Sequence, residues 1–121
     1  MAAIKGSNTK PELHVRRLVH RLGYRFRLYR RDLPGKPDMV LPRHRAVIFV
    51  HGCFWHQHRD PSCKARLPKS KLEYWRPKLE KNMERDRANR IRLSELGWRV
   101  LVVWECETRD LDAVAEKITQ F

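Results

Sequence analysis

Nowhere in these 121 residues is there an apolar run approaching the roughly 20 needed for a helix to cross a bilayer. Met1 to Lys10 is polar and has no apolar h-region of a secretory leader. Both absences point to the cytoplasm and away from membranes. No internal repeat, low-complexity stretch or linker interrupts the chain, so residues 1–121 are expected to form one domain. A chain this long buries about two-thirds of the surface its unfolded form exposes, enough for a core without disulfides. Cysteine is scarce: three residues cannot all pair within one chain. In a reducing compartment, cysteines near histidines more often mark a metal or catalytic site than a disulfide. Acidic residues are also few, 14 against 27 Lys and Arg, which gives a net charge of +13 and a pI near 10.4. A surplus of that size on one domain usually answers to a polyanion, and nucleic acid is the expected partner.

The elements follow from caps and periodicity. A helix is expected from about Pro11 to Leu22: Thr9 can cap it, Pro11 suits the first turn, and Glu12 completes a capping-box pattern. Val15, Leu18, Val19 and Leu22 form its apolar stripe, leaving Arg16, Arg17 and Arg21 free for solvent or phosphate. Tyr24 to Tyr29 alternates apolar residues with arginine, as a half-buried strand does. The loop Leu33-Pro34-Gly35-Lys36-Pro37 delivers Asp38 to a short strand, Met39 to Leu41. After the turn Pro42 to Arg45, the run Ala46 to Val50 is apolar on both faces, which suggests a central strand antiparallel to its predecessor. A basic stretch, Lys64 to Lys71, precedes a long helix ending near Leu96, with Pro77 in its first turn or kinking it and Leu79, Met83, Ile91 and Leu96 as its apolar positions. Trp98 to Trp104 is a second apolar strand, and Asp110 can cap a last helix carrying Leu111, Val114 and Ile118 inward. The order α-β-β-β-α-β-α implies an α/β fold, a mixed sheet flanked by helices with one parallel crossover.

The chemistry-bearing residues crowd between Asp38 and Cys63. Cys53, His56, His58 and Cys63 follow closely on His51. Zinc takes four nitrogen or thiolate ligands in a tetrahedron. Cys53, Cys63 and either His56 or His58 supply three of these, and Cys106, just past the second apolar strand, can supply the fourth. A closed Cys3His set reads as structural. The histidines left over, His51 and one of the other two, are candidates for proton transfer. Asp38, opposite the strand that ends in His51, can hold Mg²⁺ with help from a backbone carbonyl. The magnesium would stabilise charge developing on a phosphate while a histidine activates water. Phe54 and Trp55 share the metal-bearing loop, and together with Trp75 they are candidate wedges between base pairs.

Four strings carry a family resemblance: Leu33-Pro34-Gly35-Lys36-Pro37-Asp38; Phe49-Val50-His51-Gly52-Cys53-Phe54-Trp55-His56; Asn82-x-Glu84-Arg85-Asp86; and Leu96-Gly97-Trp98-Arg99-Val100 with Trp104-Glu105-Cys106. With these the sequence resembles the very short patch repair (Vsr) endonucleases, which nick DNA beside a T·G mismatch. The resemblance implies a restriction-endonuclease-like fold of the PD-(D/E)XK type and a nick 5′ of the mispaired T. It implies Asp38 as the essential magnesium-binding carboxylate, assisted by the Val50 carbonyl, with His56 as general base and His51 assisting at the scissile phosphate or through metal-bound water. Glu12 falls near the family's active site. Structural zinc would be held by Cys53, His58, Cys63 and Cys106. DNA contacts would come from Phe54, Trp55 and Trp75, with Lys36 in the loop before Asp38. The implied setting is a bacterial cytoplasm and the implied partner a mismatched duplex met by a monomer; no sequence feature supports mismatch-repair proteins as further partners. Three departures stand out. Val50 replaces a Thr found in some members, the loop from His58 to Cys63 is longer than in some relatives, and the family's N-terminal extension has no counterpart before Met1. Two other readings are a nuclease of the same fold with different or relaxed specificity, and a non-catalytic zinc-stapled DNA-binding module.

Overall fold

The computed structural model describes residues 9–28, 30, 32–53 and 71–121. In chain order its regular elements are α1 (Lys10–Arg21), β1 (Arg27–Leu28), β2 (Met39–Leu41), β3 (Ala46–His51), α2 (Leu72–Glu95), β4 (Arg99–Trp104) and α3 (Leu111–Gln120), with short 3₁₀ turns at Pro42–His44 and Glu105–Arg109. The strands form one sheet in the order β1-β2-β3-β4. β1, β2 and β3 pair antiparallel, whereas β3 and β4 run parallel through the crossover that contains α2. This is the mixed α/β arrangement expected from the element order.

The sheet is covered on both faces. On one face Val15, Leu18 and Val19 of α1 and Val114 and Ile118 of α3 pack on Met39, Leu41, Ala46, Ile48, Leu101 and Val103. On the other, Leu93 of α2 packs with Leu33, Val40, Val47, Phe49 and Trp98. Each fully buried aliphatic side chain here contributes roughly 1.5–3 kcal/mol relative to exposure. The helix caps are those the sequence suggests: the Thr9 hydroxyl accepts from the Glu12 N–H at 3.4 Å, and an Asp110 carboxylate oxygen accepts from the Ala113 N–H at 3.1 Å.

Three local expectations need correction, and one open choice is decided. Of the strand expected over Tyr24–Tyr29, Tyr24 to Phe26 fall outside it and Arg27–Leu28, with Leu28 exposed, pair with β2, because among the described residues only these two reach β2 in register; Tyr29 lies outside the described residues. The strand expected from Trp98 begins at Arg99; Trp98 itself is buried against the α2 face. Of its two readings Pro77 takes the one inside the helix: α2 begins at Leu72, so it forgoes the bond residue 77 would make to the Glu73 carbonyl. Finally, Ile91 and Leu96 are exposed while Leu79 and Leu93 are buried, so α2 meets the sheet through a narrow stripe and shows most of its charged surface to solvent.

Candidate active site

One end of the sheet gathers the groups singled out in the sequence. β2 begins there, and β3 and β4 end there. The antiparallel register pairs Met39 with Ile48, so its continuation sets Pro37 opposite Val50. Proline has no N–H to extend the ladder, and the Asp38 side chain takes the vacated place. Its carboxylate accepts the Val50 N–H at 2.6 Å. The N–H and C=O of one extended residue point toward the same neighbouring strand, so the Val50 carbonyl also opens toward Asp38, across from a proline that cannot donate to it.

Glu12 reaches the same place from the first turn of α1. It is buried, with 2% of its surface exposed, and its carboxyl shares a hydrogen bond with Asp38. Arg16, one turn further on, pairs with Glu12. This corrects the expectation that Arg16 is free for solvent or phosphate, and the Glu12–Arg16 spacing of four residues was the available signal. Burial is the main reason the Asp38 pKa rises from 3.8 to about 7; the Val50 amide opposes the rise, the neighbouring Glu12 adds to it, and Arg16 offsets part of it. Two carboxyls pressed together in a desolvated corner will hold a proton, or a cation in its place.

His51 ends β3, one peptide bond from the amide that anchors Asp38. It is buried, with its ring edge-on to Trp104 at 5.2 Å and tilted against Phe49 at 5.5 Å. The parallel register pairs His51 with Trp104, so Cys53 and Cys106 each lie two residues beyond that pair. They meet as this predicts: the Cys106 N–H donates to the Cys53 sulfur at 3.4 Å, and Cys53 is buried. Among the described residues, no group of three or more His, Cys, Asp or Glu side chains is arranged to hold a metal. His56, His58, Cys63, Phe54 and Trp55 lie outside the described residues. Trp75 is half-buried near the start of α2, edge-on to the exposed Tyr74 at 5.2 Å. Lys36 is exposed and adopts a left-handed backbone, φ +48°, two residues before Asp38. Sequence reasoning also missed Glu107, whose carboxylate accepts the Trp104 N–H at 2.8 Å and pairs with Lys117 at 3.0 Å, which fixes the chain just past β4. Among the described residues no helix is long and apolar enough to cross a membrane.

Comparisons with known proteins agree with this geometry. Residues 1–63 match the DNA mismatch endonuclease Vsr family. The chain is 52% identical over 119 residues to the type II nicking enzyme V.XorIIP of Xanthomonas oryzae pv. oryzae, covering 98% of this chain and 85% of that protein. It is 44% identical over 117 residues to the DNA mismatch endonuclease Vsr of Escherichia coli, covering 97% of this chain and 74% of that one. The fold is similar to the catalytic domain of the homing endonuclease I-Bth0305I, with a TM-score of 0.57 and 18% identity over 93% of each chain. Sequence match and architecture converge, and the chain belongs to the DNA mismatch endonuclease Vsr family.

Proposed function

We propose that this chain, an endonuclease by family, nicks one strand of duplex DNA 5′ of the mispaired T in a T·G mismatch, and that it acts as a single restriction-endonuclease-like domain in the bacterial cytoplasm. The observation that carries the reading is the buried pair of Asp38 and Glu12 at the end of the sheet, with the Val50 backbone and His51 beside it. Carboxylates forced together without enough positive charge suit a hard divalent cation, and Asp38 with the Val50 carbonyl would hold Mg²⁺. When bound, the ion supplies charge stabilisation to the phosphate. The chain's own residues do the rest. The Val50 amide fixes the Asp38 carboxylate, and Glu12 and Arg16 keep it oriented. His51, in its aromatic slot, faces the scissile phosphate, and His56 takes the proton from the attacking water.

Zinc fits the second group. Cys53 and Cys106 approach each other where the parallel strands end, as two ligands of one ion must, and His58 and Cys63 would complete a closed Cys3His set. Phe54, Trp55 and Trp75 would open the mispaired step, with Lys36 at the backbone. The basic charge supports binding to DNA, and the proposed species is a monomer on mismatched duplex. The test is a cleavage panel of T·G, fully paired and other mismatched duplexes, with and without Mg²⁺. Single-strand nicks at the T·G duplex that require Mg²⁺ are expected. Equal cutting of paired DNA would reassign the specificity, and binding without cutting would reduce the chain to a DNA-binding module.

A further inference from the structure

Helix α2 touches the loop that carries Asp38 at a point where there is no spare room. Leu33, at the start of the loop, is buried in the same cluster as Leu93 of α2. One turn back along the helix, half-buried Asn89 meets Gly35. A Cβ added at Gly35 would lie 3.0 Å from Asn89 Nδ2, 3.1 Å from its Cβ and 3.2 Å from its Cγ, all inside ordinary contact distance. Gly35 is the third residue of a turn closed by the Lys36 N–H donating to the Leu33 carbonyl at 3.2 Å, and its φ of +78° suits a type II turn after Pro34. Lys36 continues left-handed, Pro37 is fully buried, and Asp38 is then caught by the Val50 amide. The loop is therefore pinned at Leu33, Gly35, Pro37 and Asp38, and at Gly35 the loop's own backbone meets a polar side chain of α2.

We propose that Asn89 is a positioning residue: its side chain, seated on the bare Cα of Gly35, sets how far the turn stands from α2 and thereby where the Asp38 carboxylate sits. A larger residue at either side of this contact displaces the turn, and the displacement reaches Asp38 through the two intervening residues, left-handed Lys36 and buried Pro37. The assignment rests on Asp38 serving the nicking reaction, but its first readout does not.

That readout is the Val50 amide in ¹⁵N–¹H spectra of the full chain without Mg²⁺, since this amide reports directly on Asp38. Gly35→Ala is expected to shift the Val50 amide signal and speed its hydrogen exchange. Gly35→Ala combined with Asn89→Gly, which removes all three contacting atoms, is expected to return both toward wild type. Gly23→Ala provides the control for backbone strain alone: Gly23 has φ +90° and no heavy atom within 4 Å of an added Cβ, so Val50 should not respond. In the nicking assay, Gly35→Ala should lower kcat by up to about 100-fold, the scale of a roughly 1 Å misplacement, with KM for DNA unchanged. At least about 10-fold should return in the double variant, as coupled residues require. Should Gly35→Ala not fold, Asn89→Gln presses the same contact from the helix side and should shift Val50 likewise. An unmoved Val50 amide in the folded single variants, or an equal loss of kcat with and without Asn89, overturns the proposal. A wild-type chain that nicks no duplex instead overturns the proposed function, and the amide result still decides the role of Asn89.

Discussion

The two ends of the sheet treat charge in opposite ways. Where β3 and β4 begin, the arginines Arg45 and Arg99 find partners at hand. Arg45 stacks 4.7 Å from the Trp98 ring and donates to the Leu96 carbonyl at 3.0 Å. Arg99 donates to the backbone oxygens of Phe121 and His44, at 2.6 and 3.1 Å, and lies over the Phe121 ring at 5.0 Å. Exposed guanidinium groups lose little hydration in such contacts. Where the strands end, the charges are carboxylates sunk beside each other, and Arg16 is too little to neutralise them. One end is finished by the chain itself; at the other, the proposed cation would complete the balance of charge. A high count of basic residues thus does not make every arginine a DNA contact, since Arg45 and Arg99 are already employed in the fold.

The sharpest break between the ends is expected on removing zinc. Metal analysis should find one zinc ion per chain, and a strong chelator or Cys106→Ser should cost on the order of 10 kcal/mol of apparent stability, enough to unfold the chain. A zinc-free wild type with titratable thiols would refute this. Next in size is Asp38→Ala, which should slow nicking by about 10³-fold through loss of several kcal/mol of charge stabilisation while leaving the arginine end intact; a variant that cuts at the wild-type rate would remove Asp38 from the chemistry. Third is pH. The folded Asp38 pKa lies above its unfolded value, so the stability it lends is complete below about 3.8 and is lost as pH rises through about 7. Without Mg²⁺ the melting temperature should fall across that window, and Asp38→Asn, which cannot ionise, should flatten the fall. Added Mg²⁺ should raise the melting temperature more at pH 8 than at pH 6. The smallest effect belongs to the other end: Arg99→Ala should cost about 1–2 kcal/mol, the scale of its carbonyl bonds and ring stacking, and leave the nicking rate at 25 °C unchanged.

What the sequence discloses follows the range of the interaction. Thr9 and Asp110 cap as expected because a cap is decided within four residues. The continuous apolar run of β3 reads as an inner strand because both faces must be covered. Helix α2 is harder: charge fills its surface, so nothing local separates buried Leu93 from exposed Ile91, and only the position of the sheet does. In the site, Asp38 and His51 stand out through their motifs. Glu12 has two readings, cap and active-site acid, and the structure places its carboxyl with Asp38 while Thr9 caps its N–H. The meeting of Gly35 and Asn89 joins distant parts of the chain and leaves no local signature.

The parallel pairing of β3 with β4 also divides the site by the range of the contacts that build it. The hairpin of β2 and β3 is local, so the contact of Asp38 with Val50 can form as soon as that turn closes. β4 joins only after residues 52–98 have been threaded across, a slow, non-local step. The contact of Asp38 with Val50 thus depends on a local hairpin, whereas the approach of Cys53 to Cys106 depends on the non-local docking of β4.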